Sequence, residues 1–87
     1  MKLIEAAMRN IENRDQAEIY LDKELPGENI NREVEEIFSD NECTVYQDIG
    51  LPEVFFINHP GGWSSTDNLG ESFPLVFNEL KTRGLIK

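Results

Sequence analysis

The chain has 87 residues, of which 39% are hydrophobic and 29% charged, a length and composition typical of one small globular domain. Seventeen acidic residues against eight Lys and Arg give a net charge of −9 and a pI near 4.4. This charge argues against direct binding to nucleic acid or to an anionic membrane, because binding to either depends on contacts between Lys or Arg side chains and phosphate groups. The sequence shows no apolar run of membrane-spanning length, no signal peptide and a single cysteine, Cys43. We therefore expect a cytoplasmic protein with a free thiol.

The charge is unevenly distributed along the chain. Residues 33–80 contain ten acidic residues and no Lys or Arg, whereas 81–87 contain three basic residues and no acidic one. Carboxylates without a neighbouring base predict a negative field over much of the folded surface, which would speed encounter with a basic partner. The alternative is that the charge only keeps a small protein in solution.

The predicted elements begin with a helix and a strand. Apolar residues recur every three or four positions from Leu3 to Ile11, which predicts an amphipathic helix. Ala17, Ile19 and Leu21 alternate with polar residues, which predicts a half-buried strand. Pro26-Gly27 then breaks the chain.

A second helix is predicted to begin at Asn29 or Asn31. Either asparagine can cap a helix, and an apolar stripe of helical spacing follows it, with acidic residues on the other side. The helix is expected to end at 39–41. Its stripe consists of Ile30, Val34, Ile37 and Phe38.

The second half of the chain predicts a hairpin, a loop and a last helix. Residues 43–48 show the period-two alternation of a strand, and residues 54–57 are apolar at every position. We therefore expect 43–48 to pair with 53–58, with 54–57 central in the sheet. Residues 58–68 show no periodicity and predict a loop. The last helix is expected to start with Ser72 as its cap and Pro74 in its first turn, and to stop at Gly84.

The order α-β-α-β-β-α predicts a small α+β fold. Three short strands cannot bury themselves, so the helices should pack on one three-stranded sheet in two layers or, at most, three. We see no linker or repeat, and we expect residues 1–87 to form a single domain.

Reactive residue types cluster only in the 58–71 loop. Ser64 or Ser65 with His59 and Asp67 has the composition of a hydrolase triad, but the loop lacks a nucleophile elbow and an oxyanion-hole motif. The spacing of carboxylates and of the single histidine does not match a metal site, and no nucleotide-binding motif is present. We therefore predict a protein without catalytic residues, metal or cofactor. Trp63 in the same loop either folds over the core or contacts a partner.

The remaining class is a protein that acts by covering a surface. We interpret the chain as a stoichiometric inhibitor, of the immunity or anti-defence kind found in bacteria and phages, whose carboxylates cover a basic surface of a nuclease or another nucleic-acid-handling enzyme. It is similar to such proteins in size, charge and lack of motifs only. A structural or regulatory module, as a homodimer paired through a strand edge, is the second hypothesis, and a small hydrolase using the His59 loop is the third. The candidate contact residues are Glu33, Glu35, Glu36, Asp40, Glu42, Trp63 and Asp67.

Overall fold

A computed structural model describes residues 1–9, 12–25 and 30–86 as an α+β fold with one antiparallel sheet. The strands follow one another in the order β1-β2-β3-β4, so each pairs with its neighbour in the chain. The helices precede and follow the sheet in sequence. The elements are α1 Leu3–Ala7, α2 Arg14–Glu24, β1 Val34–Ser39, β2 Thr44–Asp48, β3 Phe55–His59, β4 Gly62–Thr66, α3 Leu69–Ser72 and α4 Pro74–Thr82.

The sheet separates two apolar cores. Helices α1 and α2 cover one side, which we call the N-terminal face, and α3 and α4 cover the other, the C-terminal face. Alternate residues of a strand point to opposite sides, so β2 and β3 contribute to both cores. The N-terminal core contains Leu3, Ile4, Ala17, Leu21, Val34, Tyr46, Phe56 and Trp63, and the C-terminal core contains Phe38, Val45, Phe55, Ile57, Leu69 and Leu80. The fold therefore has three layers.

The hairpin predicted from 43–48 and 53–58 is confirmed. Strands β2 and β3 pair antiparallel, and β3 is an interior strand of the sheet. Phe55, Phe56 and Ile57 are buried, while Val54 precedes the strand and is half-buried. A strand whose consecutive residues are all apolar is thus covered on both sides, as its sequence indicates.

The last helix ends where its sequence predicts, but its N-cap lies one residue later than expected. Pro74 occupies the first turn of α4, and Gly84 has φ +71, the left-handed conformation that ends helices. Phe73 is the N-cap of α4. Ser72 instead ends the short helix α3, and its hydroxyl lies 2.8 Å from that of Thr66.

The strand predicted at 17–21 is wrong, because this segment belongs to α2. Asn13 caps the helix by accepting a hydrogen bond from the backbone N–H of Gln16 at 3.2 Å. Ala17, Leu21 and Leu25 are buried at helical spacing. Ile19, which completed the apparent alternation, is 52% exposed.

The helix predicted from Asn29 or Asn31 is also wrong, because its apolar stripe lies mainly in the edge strand β1. Glu36 is opposite Tyr46, but Phe38 is opposite Val45, so a β-bulge at Ile37 shifts the register. The bulge moves the strand's side chains to the other face, and Val34 packs in the N-terminal core while Phe38 packs in the C-terminal core. Asn29 and, in the first helix, Ile11 lie outside the described residues.

The loop predicted at 58–68 contains a fourth strand. Strand β4 pairs with β3 in a regular register from His59 opposite Gly62 to Phe55 opposite Thr66. Pro60 and Gly61 form the connection, and Gly62 has φ 122, a conformation that favours glycine. None of the helices in the described parts of the chain is long and apolar enough to cross a membrane.

Candidate partner-binding surface

Strand β1 places three of the candidate carboxylates along one edge of the sheet. Glu33 lies 3.6 Å from the amino-terminal nitrogen of Met1, and the Glu36 carboxylate pairs with Arg9. Glu35 is exposed and forms no ion pair among the side chains that the structure describes. Of the three, Glu35 is therefore the one whose charge is available to a partner.

The turn between β1 and β2 holds two more candidate carboxylates. Asp40 Oδ1 accepts hydrogen bonds from the backbone N–H groups of Cys43 at 2.8 Å and Glu42 at 2.7 Å. These bonds, with a smaller attraction from Arg83, hold the pKa of the Asp40 carboxyl below its ordinary value. Asp40 is thus ionised at neutral pH in a fixed orientation, and Glu42 is exposed beside it.

An apolar side chain of α4 lies next to this turn. A depression of about 380 Å³ separates the β1–β2 turn from α4, and Leu75 at its border is 84% exposed. Arg83, also at the border, pairs with Glu79 at 2.6 Å and covers the ring of Phe38 at 5.1 Å. The arrangement combines fixed negative charge with an exposed leucine. We call Asp40, Glu42 and Leu75 the hairpin surface.

Asp67 is not part of this surface. It follows β4, the other edge strand, at the end of the sheet opposite to the β1–β2 turn. Three interstrand spacings of about 4.8 Å put β4 about 14 Å from β1. The structure therefore does not bring the seven candidate residues together: Asp40 and Glu42 are neighbours, and Asp67 is remote from them.

Trp63 is a core residue rather than an exposed contact. Its side chain is 3% exposed and its ring stacks on that of Tyr46 with a centroid separation of 5.6 Å. Helix α2 packs on the strand that carries it. Of the two interpretations of this residue, the structure favours the one in which the ring folds over the core.

His59 and Ser64 do contact each other, on the C-terminal face. The His59 Nε2 atom lies 2.8 Å from Ser64 Oγ, and His59 Nδ1 accepts a hydrogen bond from the backbone N–H of Gly61 at 3.2 Å. The Nδ1 atom is thus an acceptor, so the neutral ring carries its proton on Nε2 and donates it toward Ser64. A hydrolase triad needs the reverse, with Nδ1–H donating to a carboxylate and Nε2 accepting from the serine. The arrangement is that of a hydrogen bond supporting the β3–β4 hairpin.

Cys43 is held in its protonated form. Partial burial raises the pKa of the Cys43 thiol, and the charges of Asp40 and Glu42 raise it further. A thiol of raised pKa is a weak nucleophile and metal ligand. Among the side chains that the structure describes, no three His, Cys, Asp or Glu residues are grouped so as to hold a metal ion.

Leu75 is missing from the contact residues predicted above, although the sequence carries a signal for it. The apolar stripe of the last helix is formed by Phe73, Val76, Phe77 and Leu80, and Leu75 lies off that stripe. An apolar residue on the polar side of an amphipathic helix is a candidate contact residue. The position of the β1–β2 turn beside Leu75 required the three-dimensional structure.

Comparison with known proteins adds no further assignment: no protein-family model, curated protein or solved structure matches the chain.

Proposed function

We propose that the protein is a binding protein that covers a basic surface of a partner protein and thereby blocks it, in the cytoplasm. The observation that carries the proposal is the hairpin surface, where two carboxylates without an ion-pair partner among the described side chains lie beside the exposed Leu75. Carboxylates give orientation and fast encounter, and a leucine that becomes buried gives residence time. A nuclease or another nucleic-acid-handling enzyme is the proposed class of partner, because its functional surface is basic.

The net charge supports the same interpretation. At −9 the protein is attracted to a basic surface from a distance, and the charge directs the approach before any contact forms. Glu35, Asp40 and Glu42 lie along or just after β1, so they would face one partner together. An inhibitor of this kind needs only a rigid surface of suitable charge and shape, and no chemical step.

Charge reversal on the two edges of the sheet tests the proposal. Glu35→Lys with Glu42→Lys, the double variant, changes two exposed carboxylates at β1 and its turn, and leaves the Arg9–Glu36 pair intact. Asp67→Lys with Glu71→Lys is the matched control, because it reverses two exposed carboxylates that follow the opposite edge strand. We expect the double variant to associate with the partner about tenfold or more slowly at low salt, and the control to change the rate far less.

The measurement is affinity capture from cells of the source organism with equal amounts of each variant, followed by surface-plasmon kinetics with the captured basic protein. The difference between wild type and double variant should shrink as salt rises, since exposed charges are screened beyond about 8 Å at physiological ionic strength. If wild type and double variant associate equally fast at low salt, the acidic residues serve solubility only and the proposal fails.

A further inference from the structure

The two edge strands of the sheet differ in their protection against strand pairing. Strand β1 carries three glutamates in or beside it and a bulge at Ile37, and its first residues are covered by the amino-terminal segment. There, Val34 N–H donates to the carbonyl of Met1 at 2.7 Å and Leu3 N–H donates to that of Arg32 at 3.0 Å. Charge, bulging and coverage are the features by which proteins prevent an edge from pairing with another strand.

Within the part of the chain that the structure describes, strand β4 has none of these features. Its sequence is Gly-Trp-Ser-Ser-Thr, without a charge or a proline, and its register with β3 is regular. No described residue outside β3 makes a backbone hydrogen bond to Gly62–Thr66. Alternate residues of an antiparallel edge strand direct their N–H and C=O groups away from the sheet, so these groups are available to another extended chain.

We propose that β4 pairs antiparallel with β4 of a second copy of this chain, which joins the two sheets into one of eight strands. The register centred on Ser64 pairs all five residues of each strand, with Trp63 opposite Ser65 of the other copy. None of the residues paired in this way is charged, and Asp67 falls opposite Gly61. A basic peptide would find no carboxylate within the strand itself, so an uncharged strand fits this edge better than a basic one.

The charge of the whole molecule predicts an unusual salt dependence for this dimer. Two copies of net charge −9 repel each other, and the repulsion is screened as ionic strength rises. Dimer formation should therefore strengthen with added salt. Binding of a basic partner, as proposed above for β1 and its turn, should weaken with salt, so the failure of either proposal can be recognised independently of the other.

Analytical ultracentrifugation of the whole chain over a series of concentrations, at low and at high salt, tests the dimer. We expect the mass of the wild type to rise from 10.0 kDa toward twice that value with concentration, and more readily at high salt. Ser65 is exposed, and in the proposed register the two Ser65 side chains lie on one face about 7–8 Å apart. Ser65→Lys should therefore remain monomeric because it places like charges together.

Two further measurements make the result decisive. Glu35→Lys, the matched control, introduces a lysine on the other edge strand and should dimerise at least as well as the wild type. Amide exchange within 62–66 should slow as protein concentration rises, a readout that needs no variant. If the wild type stays at 10.0 kDa throughout, or if Ser65→Lys dimerises as the wild type does, the proposal is overturned. Loss of the dimer in Glu35→Lys would equally overturn it, because it would place the contact at β1.

Discussion

The two faces of the sheet differ in how completely they are covered. On the N-terminal face, Leu3, Ile4, Ala17 and Leu21 have no exposed surface. On the C-terminal face, Leu80 and Ile57 are fully buried, but Phe73, Val76 and Phe77 are only half-buried and Leu75 is exposed. A groove of about 600 Å³ also remains on this side. It is lined by Phe55 and Phe77, with residues from the β2–β3 connection and from the chain after α4.

Charged pairs strengthen the contrast. At the border of the N-terminal face, Arg9 pairs with Glu36, and Arg32 pairs with Asp48 at 2.7 Å. On the C-terminal face, Arg83 pairs with Glu79, but Asp40 and Glu42 of the β1–β2 turn have no such partner among the described side chains. From this comparison we expect the N-terminal face to contribute more to the stability of this small domain than the C-terminal face does. The C-terminal face leaves apolar and acidic side chains at the surface, where a partner could use them.

Two phenylalanines on opposite faces provide the largest expected effect. Phe56 is 1% exposed in the N-terminal core, and Phe56→Ala should lower the free energy of unfolding by about 3–5 kcal/mol. Phe77 is half-buried on the C-terminal face, and Phe77→Ala should lower it by about 1–2 kcal/mol. Urea denaturation of both variants measures the difference. Equal losses would contradict the view that the two faces contribute unequally.

Asp48 tests the border of the N-terminal face. Its side chain is 2% exposed and accepts hydrogen bonds from Nε and Nη2 of Arg32 and from the backbone N–H groups of Gly50 and Leu51. These donors, Arg32 first, hold the pKa of the Asp48 carboxyl below its ordinary value although burial opposes them. Asp48→Asn should lower the free energy of unfolding at pH 7 by about 2–3 kcal/mol.

The sign of the pH dependence follows from this lowered pKa. The stabilisation by Asp48 is fully present above the carboxyl's unfolded pKa of about 3.9, and is lost as pH falls through the lower folded value. Urea denaturation between neutral pH and about pH 2 should therefore show wild type and Asp48→Asn converging below about pH 4. Asp67→Asn, at an exposed position, is the control for the loss of one carboxylate and should have a stability close to that of the wild type at pH 7. A constant difference between wild type and Asp48→Asn would show that charge is not the cause.

The sequence predicted the C-terminal half of the fold better than the N-terminal half, for a physical reason. The short apolar run that includes Phe55, Phe56 and Ile57 lies between turn residues and favours a strand covered on both sides, and Pro74 and Gly84 mark the start and the stop of α4. Residues 17–21 are compatible with both a helix and a strand. Ala17 and Leu21 have the four-residue spacing of a helix, while Ile19 between them gives the alternation of a strand. In the structure, the capping of α2 by Asn13 and the exposure of Ile19 distinguish the helix from the strand.

Strands β1 and β4 show two other reasons why the sequence pattern did not predict the structure. A bulge at Ile37 converts the alternation of a strand into apolar residues at 34, 37 and 38, which is the spacing of a helix. Strand β4 is rich in Gly and Ser, which disfavour strands, and it forms because β3 offers it a pairing partner. The sequence groups the candidate acids only by their positions in the chain, and their separation onto two edges of the sheet depends on both of these strands.

Leu75 provides the smallest expected effect on stability and the most specific test of the contrast between the faces. At 84% exposed, it contributes little to the C-terminal core, so Leu75→Ala should change the free energy of unfolding by no more than about 0.5 kcal/mol. Phe77, two residues further along α4, is half-buried and does not line the depression beside the hairpin surface, so Phe77→Ala serves as the control that lowers stability. If the C-terminal face leaves Leu75 exposed for a partner, Leu75→Ala should weaken binding without loss of stability, and the control should lose stability without loss of binding.

Burying a leucine side chain in an interface contributes about 1.5–3 kcal/mol, so Leu75→Ala should speed dissociation of the partner by about ten- to a hundredfold. The effect should persist at high salt, because it comes from apolar contact rather than charge. Surface-plasmon kinetics with the captured partner measure it, and Phe77→Ala should dissociate much as the wild type does. An unchanged dissociation rate in Leu75→Ala would remove this leucine from the binding surface and leave its exposure without a functional explanation.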